Sequence, residues 1–332
     1  MTTSTGRSAA PYWRPTSSAG FGLVALGAAL WGTDPLFRQG LALNLPASVI
    51  VFVEHLLPVV ILVPLVVRGL RRARGTFDRK DWLALVVLGC GASALATFLF
   101  TTAFTFGSPT TPALLQQVQP LFAVAGARLL LGERLHRRYA GYLVGALVGA
   151  YLIAFPDPTS VTIAGLAPAL LALAAAALWG SGTVLGRGLS AKIPFGELTA
   201  LRLFFGLLAA SAVVGVRGDL GTLGGLDSKG VLALVLLALV PGLLSLLVYY
   251  RGLRSTPAAA ATIAELAFPL TTLAVNYVAF HAVLSGTQWI GVALLAGTMT
   301  LMNVVRSHGT PTGVEVPLPI AEPVGAASAG GR

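Results

Sequence analysis

Charge is the scarcest commodity in this sequence. Only 10% of its 332 residues are Asp, Glu, Lys or Arg, and mean hydropathy is +0.82. Soluble domains carry roughly 25% charged residues, because their surfaces face water. The apolar residues here come in long runs rather than alternating patterns, so the chain reads as a polytopic membrane protein. A single cysteine, Cys90, excludes a disulfide framework and a thiolate metal site; it reads as a small core residue of an apolar helix. The four histidines at 55, 136, 281 and 308 are too scattered for a metal centre. Gly-x-x-x-x-Gly-Lys, His-Glu-x-x-His and nucleophile-elbow motifs are all missing, which argues against an ATPase motor or an enzyme. No cofactor and no metal are expected.

Ten apolar segments long enough to cross the hydrocarbon can be marked, near 19–37, 48–67, 82–104, 112–131, 139–155, 163–185, 196–216, 231–250, 258–280 and 287–305. The expected fold class is therefore all-α, with ten transmembrane helices. The first segment is longer than a signal-peptide core and contains Trp31 and Asp34, so it reads as a retained span. Residues 1–18 and 306–332 read as disordered tails.

The net charge of +10 comes from basic residues that are unevenly placed. One side of the membrane receives Arg7, Arg14, Arg68, Arg71, Arg72, Arg74, Arg79, Lys80, Arg134, Arg137, Arg138, Arg187, Lys192, Arg251, Arg254, Arg306 and Arg332. The other receives Arg38, Arg217 and Lys229, while Arg128 and Arg202 fall inside spans. This asymmetry places both termini in the cytoplasm of a plasma (bacterial inner) membrane, and the basic loops need no nucleic-acid partner.

The string AALWG occurs at 28–32 and again at 176–180. Trp31 and Trp179, Pro46 and Pro194, and Pro109 and Pro257 are each 148 positions apart; Pro120 and Pro269 are 149 apart, and Gly141 and Gly291 are 150 apart. Two halves, 19–155 and 163–305, follow, each with five spans. An odd number of spans makes the second half enter from the opposite face. That is an inverted repeat, an architecture secondary transporters use to build a midplane site.

AALWG in each half, together with SPTTPALLQQVQPLFAVAGARLLLGERL and TPAAAATIAELAFPLTTLAVNYVAF, resembles EamA-type members of the drug/metabolite transporter superfamily. The resemblance covers the whole ten-span region. It implies an inverted-repeat carrier of small metabolites, usually an exporter, with a central cavity lined by helices other than the fifth and tenth. The chain departs from the pattern at His281-Ala282, where the family has Gly-Glu, and at Glu54-His55, where many members carry an Arg.

Charged groups near the bilayer centre cost about 2.5–3.5 kcal/mol on insertion scales, so they normally face a cavity or a partner. The substrate- or proton-binding candidates are Glu265, Glu54, His55, Asp34, Gln116, Gln119, Arg202, Trp31 and Trp179. Asp34-Pro35 reads either as a cap ending the first helix or as a carboxylate open to the cavity. Glu54 and Arg202, which are repeat equivalents, read either as a structural pair or as part of the site. His55 titrates near neutrality when unshifted and is a proton-relay candidate, with a hydrogen-bonded core histidine as the bland alternative. Gln116 and Gln119 share a face beside Pro120, as Thr262 and Glu265 do before Pro269. The two prolines are helix-break candidates that free carbonyls for a ligand. Interhelical hydrogen bonding is the bland reading of the glutamines. Tyr249 and Tyr250 read as interface-belt residues.

These features describe a secondary transporter working by alternating access. It would move a small organic or amino-acid-like solute, in the export direction, with proton or other ion coupling. Its partners are the solute and the lipid bilayer, and a homodimer is compatible with this reading. The rival readings are a non-transporting membrane subunit and a passive channel; a channel would show rings of equivalent polar groups, which this sequence lacks.

Overall fold

The computed structural model describes residues 18–106, 109–131, 139–159, 163–253, 256 and 264–308. Among these every regular element is helical. Five helices are long and apolar enough to cross a membrane: Ala19–Asn44, Arg79–Phe104, Leu166–Ser190, Phe195–Arg217 and Ser228–Leu253. A sixth is added if a pair bent by 83°, Ala47–Ile61 with Val63–Thr76, counts as one span. The other expected spans fall on shorter, interrupted or partly described helices. The two expected tails lie almost wholly outside the described residues.

The first span is longer than the sequence suggested. α1 (Ser18–Gly32) gives way at Thr33 to α2 (Asp34–Asn44). Pro35 lacks an N–H and therefore suits the first turn of a helix, where that donor has no partner. It interrupts the hydrogen-bond ladder but starts α2 rather than ending the span. Arg38, expected in an outer loop, is consequently inside a helix and 3% exposed.

Prolines also set the bend that follows. α3 (Ala47–Ile61) contains Pro58, and α4 (Val63–Thr76) begins with Pro64 in its first turn. At 15 residues α3 is about 22 Å long, short of the roughly 30 Å hydrocarbon. Its continuation turns sharply into α4, which carries the exposed Arg68, Arg71, Arg72 and Arg74.

α5 (Arg79–Val86) and α6 (Ala96–Phe104) form one continuous rod through a π-helical stretch, Val87–Leu95. α12 (Ser228–Leu237) and α13 (Ser245–Leu253) are joined the same way by Ala238–Leu244. Pro241 lies inside that second stretch and cannot donate to the ladder, so the turn widens there. Each rod starts on an aspartate N-cap, Asp78 and Asp227, 149 positions apart.

α7 (Thr110–Leu115) and α8 (Gln119–Leu131) are separated by a 3₁₀ turn at Gln116–Val118, immediately before Pro120. The remaining elements are α9 (Tyr139–Ala154), α10 (Ile163–Ser190), α11 (Phe195–Arg217), α14 (Ala267–Phe280) and α15 (Gly286–His308).

The packing crosses between the halves. α1 lies against α13 and α14, while α10 lies against α6 and α8; α3 packs on α11, and α9 on α15. The AALWG glycines explain how two of these contacts close. A Cβ on Gly32 would lie 2.7 Å from the Phe268 carbonyl oxygen and 2.7 Å from Thr271 Cβ. A Cβ on Gly180 would lie 2.8 Å from the Gln119 carbonyl oxygen and 2.7 Å from Phe122 Cβ. Only glycine admits backbones this close, which is the usual basis of helix association in lipid.

Candidate functional site

Three side-chain constellations occupy the helical interior. The first is built on Arg38. Its Nε donates to Asp34 Oδ1 at 2.7 Å, and Nη2 donates to Asp34 Oδ2 and Glu54 Oε1, both at 2.6 Å. Nη1 donates to Glu54 Oε2 at 2.8 Å and Thr101 Oγ1 at 2.5 Å. A guanidinium has five N–H donors, and here all five are used. The Phe100 ring adds a cation–π contact at 5.4 Å. Helices α2, α3 and α6 are thereby tied at one point, with two carboxyl groups on one guanidinium.

Glu54 therefore does not pair with Arg202. Glu54 and Arg202 are repeat-equivalent positions, but Arg38, carried on α2 just past the break at Thr33, takes both Glu54 oxygens instead. Asp34 acts as neither a terminating cap nor an open carboxylate, since it binds Arg38 one helical turn on. Arg38 was missed because its position, just past a proline, looked like a loop.

The second constellation is aromatic. Trp31 sits on Tyr249 with ring centroids 4.9 Å apart, and Trp179 sits on Phe100 at 5.2 Å. Tyr249 and Phe100 are 149 positions apart, so the two pairs are each other's counterparts. The first continues through Tyr250, 5.2 Å from Tyr249, to Phe195, 4.0 Å from Tyr250. Tyr249 and Tyr250, read from sequence as belt residues, are part of this interior wall.

The third constellation surrounds Glu265, which occupies a turn immediately before α14. The Tyr249 hydroxyl donates to its Oε1. A cavity of about 60 Å³ is lined by Glu265, Gln117, Pro120, Pro269 and Thr300, among others. Both break-candidate prolines thus line one cavity. Gln117 reaches this cavity rather than Gln116 or Gln119, because the 3₁₀ turn at 116–118 alters the phase of the helix; its buried Nε2 has no partner among the described residues. Thr262, the expected neighbour of Glu265, lies outside the described residues.

His55 is buried beside these groups, with Nδ1 2.8 Å from the Val51 carbonyl and Nε2 3.0 Å from Ser93 Oγ. Nδ1 is therefore the protonated nitrogen, and Nε2 accepts from the serine. Gly206 makes room for the ring, since a Cβ there would come within 2.5 Å of it. This is the hydrogen-bonded core histidine, with both ring nitrogens occupied. Arg202 donates from Nη2 to the Ala92 carbonyl at 3.0 Å, inside the first π-helical stretch. Among the described residues no group of three or more His, Cys, Asp or Glu is arranged to hold a metal ion.

A model of the EamA-like transporter family matches residues 18–155 and again 166–304. The riboflavin transporter ImpX of Fusobacterium nucleatum subsp. nucleatum is 31% identical over 272 residues, covering 80% of this chain and 91% of that one. A crystal structure described simply as that of a protein is 22% identical with a TM-score of 0.52, covering 89% of this chain and all of its own; it bears on fold alone.

Proposed function

The chain belongs to the EamA-like transporter family, and on that premise we propose that this multi-pass membrane transporter carries a planar heteroaromatic metabolite of the riboflavin class. The observation that carries this reading is the pair of repeat-related aromatic contacts, Trp31–Tyr249 and Trp179–Phe100. Each joins a helix of one half to a helix of the other, where flat apolar faces suit a flat ring system. The relative named as a riboflavin transporter supports the choice of solute.

Residues 19–155 and 163–305 form, in this reading, two inverted five-span repeats that rock about the crossings at Gly32 and Gly180. Their exchange of packing partners, their paired π-helical stretches and their matched aspartate caps support it. Both termini face the cytoplasm, and the membrane is the plasma membrane. The charge asymmetry that supports this strengthens once Arg38 moves from an outer loop to the interior, leaving Arg217 and Lys229.

With no nucleotide-binding motif, transport runs down the solute gradient or couples to an ion. Glu265 is the proposed coupling carboxylate, because it reaches both the cavity and a tyrosine hydroxyl.

Reconstitution into liposomes with riboflavin on either side tests this reading, with outward movement expected from the family resemblance. Saturable flux with counterflow exchange is the expected result for the wild type. Glu265→Gln is expected to lose the response to an imposed pH gradient while keeping counterflow. Non-saturable flux would indicate a channel, and no flux of any tested flavin would remove the solute assignment.

A further inference from the structure

The two interior arginines differ in one respect. Arg38 is held by two carboxyl groups, whereas among the described residues Arg202 is held by none. Among the described residues none of the ion pairs includes Arg202, and its buried Nε has no hydrogen-bond partner. It lies seven residues into α11, about 10 Å from the start of that helix. The residue is half-buried, with its Nε fully enclosed, and a cation drawn partly out of water without a counter-charge is disfavoured.

The surroundings indicate what repays it. The π-helical stretch supplies one acceptor, the Ala92 carbonyl. Tyr250 lies within electrostatic reach of Arg202 and is itself the third ring of the run Trp31, Tyr249, Tyr250, Phe195. Phe195, the last ring of that run, lies seven residues before Arg202 on the same face of α11, so the arginine and the rings share one side of that helix. That combination matches a planar solute with an electron-rich oxygen edge: the rings cover its faces, and the guanidinium donates to a carbonyl or anionic oxygen on its rim.

We propose that Arg202 is a solute-binding residue that takes the oxygen-bearing edge of the transported heteroaromatic molecule, an assignment that rests on the aromatic-solute reading above. The competing role is structural: Arg202 would serve only to satisfy the Ala92 carbonyl. The two roles differ in the sign of their effect on the empty protein. A purely structural arginine stabilises the fold, so its removal lowers the melting temperature. A binding arginine held without a counter-charge burdens the empty fold, so its removal raises it.

The test uses the full-length protein in detergent, with Arg202→Met and Arg202→Lys. Melting temperature is read without solute, and riboflavin affinity by quenching of flavin fluorescence. Arg202→Met is expected to melt at or above the wild-type temperature yet bind riboflavin about tenfold or more weakly. Arg202→Lys, which keeps the charge but loses the fork geometry, is expected to fall between them in affinity. An Arg202→Met protein that melts below the wild type, or that binds riboflavin equally well, overturns the proposal. If the wild type itself does not quench, the flavin reading falls, and the melting comparison alone decides whether Arg202 is a cation held at a cost to the fold.

Discussion

Arg38 and Glu54 face each other through two parallel hydrogen bonds of 2.8 and 2.6 Å, from Nη1 to Oε2 and from Nη2 to Oε1. Asp34 occupies the remaining side of the same guanidinium. Removing one member of a buried ion pair leaves the others uncompensated, which typically costs 3–5 kcal/mol. Arg38→Met is therefore expected to destabilise the protein by about that much. The triple change Arg38→Met, Glu54→Gln, Asp34→Asn recovers part of the loss, because no bare charge remains. Thermal unfolding of the variants measures both effects; a triple variant no better than Arg38→Met would mean that the charges do not interact.

The close crossings predict which glycines resist alanine. At Gly32, Gly180 and Gly206 a Cβ would meet neighbouring atoms at 2.5 to 2.7 Å. Overpacking of this kind costs about 1–3 kcal/mol. Gly22, where nothing lies within 4 Å, serves as the control and should tolerate alanine without loss. Melting temperatures of the four single variants provide the comparison.

His281 ends α14 in the left-handed region, with φ 51°. It stands where the family resemblance led us to expect Gly. A side chain in that region costs roughly 1–2 kcal/mol. His281→Gly is expected to stabilise the protein by about 1 kcal/mol, partly offset by the greater freedom glycine gives the unfolded chain. An unfolding measurement showing loss rather than gain would mean that the imidazole makes a compensating contact.

Two aspartates outside the apolar spans predict the acid side of the stability curve. Asp78 is held below the usual carboxylate range by backbone N–H donors, first at Asp81 and then at Lys80. Asp219 is held low by Ser48 and then Arg217. A depressed carboxylate contributes stability that is complete above its unfolded value of 3.8 and is lost as pH falls through the lower folded value. Melting temperature should fall below about pH 4. Asp78→Ala should melt lower at neutral pH and lose part of that acid slope.

Orientation can be read chemically, because Cys90 is the only cysteine. In a Cys90→Ser background, Lys229→Cys is expected to react with a membrane-impermeant maleimide added outside intact cells. Arg71→Cys should react only after the cells are opened. Both positions are exposed, so a reversed labelling pattern would reverse the assigned topology.

Much of the helical layout was legible because its causes are local. Long apolar runs indicated membrane-crossing helices, and recurring offsets paired Pro46 with Pro194 and Pro120 with Pro269. The recurrence of AALWG indicated equivalent helices. The glycines flanking Trp31 and Trp179 favoured a close helix crossing or a cavity wall, but what lies opposite each of them depends on packing. The end of the first span was misjudged because Pro35 looks the same whether it stops a helix or starts one.

The candidate site was only partly legible. Glu265, Pro120 and Pro269 were selected on the cost of burial and on helix geometry, and they share a cavity. By contrast, the partner of Glu54, the position of Arg38 and the interior role of Tyr249 depend on how helices distant in sequence rotate and pack. Composition and periodicity determine that this chain enters a membrane as helices and repeats itself. Tertiary packing alone decides that Arg38 holds both carboxylates while Arg202 holds neither, because a charge pairs with whatever the facing helix presents, and no local pattern encodes that.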